Sequence, residues 1–308
     1  MRILVTGARG RVGRYTVAHL ADAGHDVTAT DLAPERPAPP DAPDVPYVQA
    51  DLTDAGEVFS LVGGWTGREG GPKQGPFDAV VHAGAIPAPG RHAPHTLFRN
   101  NVMGVFDVVE ACVRWGVPRL VNVSSETVAG FAFSERPTLP HYLPLDEEHP
   151  LEPQDPYGLG KVVGEEICDA AVRRSDLRVV SLRPTWVQEE STYEPFLGPL
   201  VADPDAGVTN GWSYVDVRDL AEAIRLAVEC DLPGHEAFYV SAADTVGGRD
   251  LHAAWRRVYP DAPTELRPVD RPDAAGVSSA KAARLLGWTP RRSWRDVLDA
   301  SGARRTTG

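Results

Sequence analysis

The chain has 308 residues, 42% of them hydrophobic, and 31 basic against 43 acidic residues leave a net charge of −12. That acidity argues against nucleic acid or an anionic membrane surface as partner, and no apolar run approaches the ~20 residues of a membrane span. Cys112, Cys168 and Cys230 are widely separated and suggest neither a disulfide framework nor a zinc spacing, so a reduced, cytoplasmic setting is expected.

The opening residues, Met1 to Gly7, read as a strand entering a turn rather than as a signal peptide. Residues 2–6 predict a buried strand. Val12, Thr16, Leu20 and Ala23 fall at helical spacing, and Gly24 is placed to end that helix. Residues 26–31 return as a second strand. Strand, helix and strand in such a short span make a βαβ unit with a right-handed crossover. Next come a short strand at 47–50, a helix at 54–61, a strand at 79–83, a long helix at 101–115 and a strand at 120–124. A helix at 156–173 and a strand at 178–182 follow. This alternation predicts an α/β fold with a doubly wound parallel sheet of the Rossmann type.

Two segments interrupt the rhythm. Residues 34–46 hold six prolines and predict a stiff extended loop. Residues 63–76 hold six glycines and predict a mobile surface loop. After Pro184 the pattern loosens. Residues 189–210 show no clear period, and helices are expected at 219–229, 250–258 and 279–286, with a strand at 237–241. The expected organisation is a dinucleotide-binding domain over 1–184 and a smaller substrate-binding lobe over 185–308, interleaved with the last strands of the sheet.

The first turn carries a glycine fingerprint, Thr6-Gly7-Ala8-Arg9-Gly10-Arg11-Val12-Gly13. Gly7 permits a tight turn, Gly10 lets backbone approach a pyrophosphate, and Gly13 lets the helix pack close to the sheet. Asp31 ends the second strand, placed to bind both ribose hydroxyls and to repel a 2′-phosphate, which favours NAD. Arg9 and Arg36 keep NADP possible, since either can neutralise a phosphate. Asp51 and Leu52 follow the third strand, near the expected adenine, although Asp51 also reads as a helix N-cap.

Tyr157 and Lys161 stand four apart on one helix face. A lysine charge favours the phenolate and lowers a tyrosine pKa that starts near ~10, which makes a general acid/base usable near neutral pH. Ser124 and Ser125 follow a central strand, where ligands bind in such sheets. Glu126 beside them reads either as a substrate contact or as a solvated turn residue. Trp186 and Trp212 read either as pocket lining or as core. The histidines at 82, 92, 95, 141 and 149 show no metal spacing.

These pieces, taken in order, resemble the extended short-chain dehydrogenase/reductase family, also called the NAD-dependent epimerase/dehydratase family. The matching stretches are residues 6–13, Asp31, Asp51-Leu52, His82-Ala83-Gly84-Ala85, Asn100 to Gly104, Ser124 to Gly130, Tyr157/Lys161, Leu182-Arg183-Pro184 and Ser279 to Pro290. In the family's UDP-galactose 4-epimerases the catalytic serine lies five residues before the glycine ending its motif, a position held here by Ser125. The resemblance implies that Tyr157 moves the hydroxyl proton, Lys161 lowers its pKa and binds the nicotinamide ribose, and Ser125 hydrogen-bonds the reacting oxygen. It also implies cofactor contacts from Arg11, Val12, Leu52, Ala83, Gly84, Ala85, Asn100, Pro184 and Thr185, and a homodimer formed through the helices at 101–115 and 157–173.

Departures from the family pattern narrow the reaction. Thr127 stands where sugar 4,6-dehydratases carry a glutamate base, and a hydroxyl cannot replace a carboxylate in that role. Gly211-Trp212-Ser213 stands where many nucleotide-sugar enzymes carry a phosphate-binding arginine, and only 29 residues separate Pro184 from Tyr214. In this the chain is similar to the compact uronate dehydrogenases. Arg249 and Arg267 are the remaining candidates to grip an anion. The expected activity is hydride transfer between NAD and a secondary alcohol or ketone of a sugar, sugar acid or polyol-like molecule. The alternative is a nucleotide-sugar epimerase with tightly bound NAD and no net redox change. A non-catalytic dinucleotide-binding regulator is disfavoured, because a sensor needs no proton-transfer base.

Overall fold

The structure, a computed structural model, describes residues 1–34, 43–64 and 76–305. Arg36 and most of the proline-rich and glycine-rich segments lie outside the described residues. Two compact units share the chain. The first comprises Met1–Ser124, Asp155–Leu182 and Ala221–Ala237, and the second Ser125–Gln154, Arg183–Leu220 and Phe238–Gly308.

In chain order the elements begin with β1 (Arg2–Thr6), α1 (Arg11–Asp22), β2 (Asp26–Asp31), β3 (Tyr47–Gln49), α2 (Ala55–Val62), β4 (Ala79–His82), α3 (Pro94–Trp115) and β5 (Arg119–Val123). They continue with β6 (Tyr142–Leu143), α4 (Pro156–Val172), β7 (Arg178–Pro184), β8 (Trp186–Gln188), α5 (Gly198–Ala202), β9 (Tyr214–Asp216) and α6 (Val217–Glu229). The last are β10 (His235–Val240), α7 (Leu251–Val258), β11 (Glu265–Leu266) and α8 (Ala280–Leu286).

Seven strands form one sheet in the order β10-β7-β5-β4-β1-β2-β3. The pairings from β7 to β3 are parallel. The strand order reverses between β1 and β4, which makes the fold a doubly wound Rossmann sheet, and ligands of such sheets bind at the carboxyl ends beside that switch point. The central strands are apolar on both faces because helices cover both. Leu4, Val80, Leu120 and Val179 pack in one buried cluster with Val105, Val109 and Cys112 of α3 and Cys168 of α4.

Helix α3 begins at Pro94, earlier than the expected Asn101. Proline at the first helical position has no N–H to leave unsatisfied and brings its φ preset, so it starts the helix ahead of the apolar stripe. Gly160 and Gly164 place α4 against α3, where a Cβ on Gly164 would meet Val105 at 3.4 Å, an ordinary van der Waals contact.

In the second unit β8 pairs with β9 and β6 with β11, both parallel. These two- and three-residue strands are too short to show alternation. The segment without a period, 189–210, holds a π-helical turn (Tyr193–Leu197) and the short α5. Trp212 is fully buried, with its ring edge-on to Trp255, so its role is core packing. Among the described residues no helix is long and apolar enough to cross a membrane.

Candidate active site

The glycine loop is built by close contacts that only hydrogen permits. Gly7 has a φ of +64°, and a Cβ there would stand 2.6 Å from the Gly84 backbone. A Cβ on Gly13 would stand 2.0 Å from the Gly7 carbonyl oxygen. The loops after β1 and β4 therefore touch through backbone. The Thr6 hydroxyl links them further, accepting from the Gly84 N–H at 3.2 Å and meeting His82 Nδ1 at 3.0 Å. Burial, and after it the Lys161 charge, push His82 down to about 3, so its ring is neutral. Leu52 packs on the same loop, its Cδ1 2.5 Å from a Cβ built on Gly84.

Gly10 caps α1 without a side chain. The first-turn N–H groups and the helix dipole thus form an anion site of the kind a pyrophosphate occupies, with Arg11 and Val12 in the first turn. Asp31 ends β2 and accepts from the Arg9 N–H at 3.0 Å and the Ala33 N–H at 3.4 Å. The Arg9 guanidinium lies over the Tyr47 ring, 4.8 Å from its centre. Loop, helix end and carboxylate fit an adenine dinucleotide. Asp51 accepts from the Thr53 N–H and hydroxyl, both at 2.8 Å. The N-cap of α2 is Asp54, not Asp51.

Asn100 of α3 donates to the Asn101 side chain at 3.1 Å. The buried member of the pair is Asn101, which clamps the loop carrying Ala83, Gly84 and Ala85 by gripping both the N–H and the carbonyl of Ile86. The sequence shows the Asn-Asn pair and points to Asn100, but not that Asn101 is the one that holds this loop.

Helix α4 is started by Asp155, which accepts from the Tyr157 and Gly158 N–H groups, with Pro156 in the first turn. That cap sets the register of Tyr157 and, one turn on, Lys161. Both are buried. The Lys161 ammonium stands 5.6 Å from the Tyr157 ring centre and donates to the Val123 carbonyl at the end of β5, at 2.6 Å. Burial holds Lys161 down at about 8, against a smaller upward pull from Glu165. Ser124 is engaged elsewhere, donating to Glu165 at 2.5 Å. Tyrosine and lysine thus share one helix face in the unit that carries the glycine loop, an arrangement able to take a proton from an alcohol.

In the second unit, Ser125 accepts from the Thr127 N–H at 3.2 Å. Glu126 is buried rather than solvated. The Asn210 side chain and the Trp186 backbone N–H hydrogen-bond its carboxyl, and burial pushes it up to about 8. The Trp186 ring is exposed. Pro184 ends β7, and Thr185 donates its N–H to the Val240 carbonyl at 3.0 Å. Arg249 does not grip an anion: its guanidinium donates to the Val246, Leu200 and Asp203 carbonyls and lies over Trp212. Arg267 is stacked on Tyr142, with Asp146 at 3.6 Å.

A Ser181–His235–Asp169 chain in the first unit has the composition of a hydrolytic triad, with both histidine nitrogens at 2.8 Å from their partners. Ser181 is fully buried and also accepts from Asn122, so this chain ties strands together rather than attacking a substrate.

Residues 3–202 match the model of the NAD dependent epimerase/dehydratase family. The chain belongs to that family. As a member of the NAD dependent epimerase/dehydratase family it is an NAD-dependent enzyme of the extended short-chain dehydrogenase/reductase type. It is 28% identical to a UDP-glucose 4-epimerase from Corynebacterium glutamicum, across 94% of this chain and 91% of that one. A uronate dehydrogenase from Pseudomonas putida is 29% identical over 182 residues, 59% of each chain. A short-chain dehydrogenase/reductase superfamily protein from Agrobacterium tumefaciens, whose crystal structure holds bound NAD, is similar in fold with a TM-score of 0.70 at 25% identity, covering 98% of this chain and 96% of that one.

Proposed function

We propose that the chain is an NAD-dependent dehydrogenase acting on a secondary alcohol of a small sugar, sugar acid or polyol, or on the corresponding ketone. The observation that carries this reading is the Tyr157–Lys161 pair, buried on α4 in the same unit as the glycine loop. NAD, when bound, supplies the hydride acceptor, and the chain's own residues manage the proton. Tyr157 as phenolate removes the hydroxyl proton. Lys161 favours the phenolate and binds the nicotinamide ribose. Ser125 donates its hydroxyl to the reacting oxygen. The alcohol thereby loses a hydride and a proton and becomes a ketone.

Cofactor contacts are assigned to Gly7, Gly10, Arg11, Val12, Gly13, Asp31, Asp51, Leu52, Ala83, Gly84, Ala85, Asn100, Pro184 and Thr185. We assign dinucleotide binding chiefly to residues 1–184 and substrate selection to 185–308, joined by the Ser125–Gln154 excursion. A cytoplasmic homodimer completes the reading. Exposed Met103 and Phe106 on α3 and Leu159 on α4 support a contact between copies, and light scattering checks it.

The rival reading is epimerisation of a nucleotide sugar, supported by the length of the match to the Corynebacterium epimerase. The test incubates enzyme and NAD with sugar nucleotides and with free sugars, following absorbance and product mass. Net NADH from a free sugar supports the dehydrogenase. An equal-mass isomer of a sugar nucleotide without NADH overturns it.

A further inference from the structure

Glu126 is 6% exposed, yet among the described residues no lysine, arginine or histidine pairs with it. Its partners are neutral: Asn210 Nδ2 lies 3.2 Å from each carboxyl oxygen, and the Trp186 N–H donates to it. A carboxylate stripped of water and given no cation is costly, so the group keeps its proton near neutrality. Asn210 is itself held in place. It donates to the Ser213 carbonyl at 3.0 Å and accepts from the Ser213 N–H at 3.3 Å. The turn between them is strained, because Trp212 sits at a φ of +56°, a conformation bulky residues avoid. Thr127, next to Glu126 in sequence, and Ser213, at the end of that turn, each carry a buried hydroxyl with no hydrogen-bond partner among the described residues. A purely structural cluster satisfies its buried polar atoms.

Trp186 joins this polar group to an aromatic one. Its backbone N–H reaches Glu126, while the residue is 38% exposed and its ring lies 5.8 Å from that of Phe196, itself 45% exposed. A pyranose or cyclitol presents the matching pair of surfaces, an apolar C–H face for aromatic contact and an edge of hydroxyls. Phosphate and carboxylate groups need charge-assisted donors, and among the described residues no cation pairs with Glu126.

We propose that Glu126 and Asn210, with the Trp186–Phe196 pair, are the substrate-recognition element of the second unit, and that they select a neutral polyhydroxylated ring over an anionic or cationic one. This rests on the sugar-directed activity proposed above. The test measures calorimetric affinity on NAD-loaded enzyme, separately from NADH formation. The ligands are neutral hexose, hexuronate and 2-amino sugar, in sets built on glucose, galactose and mannose.

In the tightest-binding set the neutral member is expected to lead by about tenfold or more, since a wrongly charged group meets no counter-charge. Glu126→Ala and Trp186→Ala are each expected to weaken it about tenfold, and Glu126→Gln, uncharged and of similar shape, to stay within about threefold of wild type. A uronate or amino sugar that binds as tightly as its neutral counterpart overturns the proposal. So does unchanged affinity in Glu126→Ala and Trp186→Ala proteins that retain their circular dichroism. Neutral-sugar binding lost in Glu126→Ala, with no NADH formed by wild type, supports this proposal and removes the dehydrogenase reading. NADH formed from a uronate equally well by wild type and Glu126→Ala does the reverse.

Discussion

Replacing Glu126 by glutamine removes one buried acid while keeping its shape, and the consequence for stability follows from where that acid titrates. Its ordinary value of 4.5 is pushed up to about 8, mainly by burial and against the lowering effect of the Asn210 and Trp186 hydrogen bonds. Between those two values the folded chain holds a proton that the unfolded chain has released. Stability from this group is therefore fully present below pH 4.5, declines as pH rises, and is lost once pH passes about 8. At about 1.4 kcal/mol per pH unit the whole decline is worth about 5 kcal/mol. The glutamine variant lacks this decline. Its stability relative to wild type is expected to grow by several kcal/mol from about pH 5 to about pH 8.5 and then level off. Denaturant unfolding followed by tryptophan fluorescence reports on the right region, because Trp186, Trp212, Trp255, Trp288 and Trp294 all belong to the second unit. A difference between variant and wild type that stays constant across that pH range refutes the claim that a proton is held on Glu126.

Tyr157→Phe is expected to lower turnover by about 10²–10⁴-fold while NAD still binds, and a variant keeping half its activity shows that another group moves the proton. Lys161→Met should weaken NAD and move the rise of the pH–rate profile to higher pH, because the phenol loses a neighbouring cation; an unchanged profile with unchanged NAD affinity contradicts the assignment. Asp31→Ala should weaken NAD more than NADP, since ribose hydrogen bonds and repulsion of a 2′-phosphate disappear together. Titration of both cofactors reads this out, and a wild type that already prefers NADP counts against it. Gly13→Ala places a methyl 2.0 Å from the Gly7 carbonyl. Backbone cannot yield there as a side chain would, so thermal unfolding should reveal a loss of about 1–3 kcal/mol or more, together with loss of NAD binding.

Local requirements were the readable ones. The glycine loop shows in the sequence because each glycine answers to atoms within a few residues or to one neighbouring strand end. Tyr157 and Lys161 show because helical spacing puts them on one face. Contacts made across long stretches of chain stayed hidden. Arg249 looked like a free cation, yet its carbonyl partners include Leu200 and Asp203, far upstream. Glu126 looked as much like a turn residue as a ligand contact, and only Asn210, 84 residues away, shows it to be buried and paired. Helix α3 starts at Pro94, ahead of the apolar stripe that makes its later turns legible in the sequence. The short strands β6, β8, β9 and β11 carry no alternation to detect.

The two units exchange the chain at Ser124–Ser125, Gln154–Asp155, Leu182–Arg183, Leu220–Ala221 and Ala237–Phe238. Neither unit is a continuous piece of sequence, so no single cleavage releases either one whole. During synthesis the glycine-loop unit lacks its final segment until Ala237 has left the ribosome, when part of Phe238–Gly308 has already been made behind it. The usual economy of folding an N-terminal domain first is closed to this topology. Exchanging either unit for another would accordingly require several chain junctions to be matched at once.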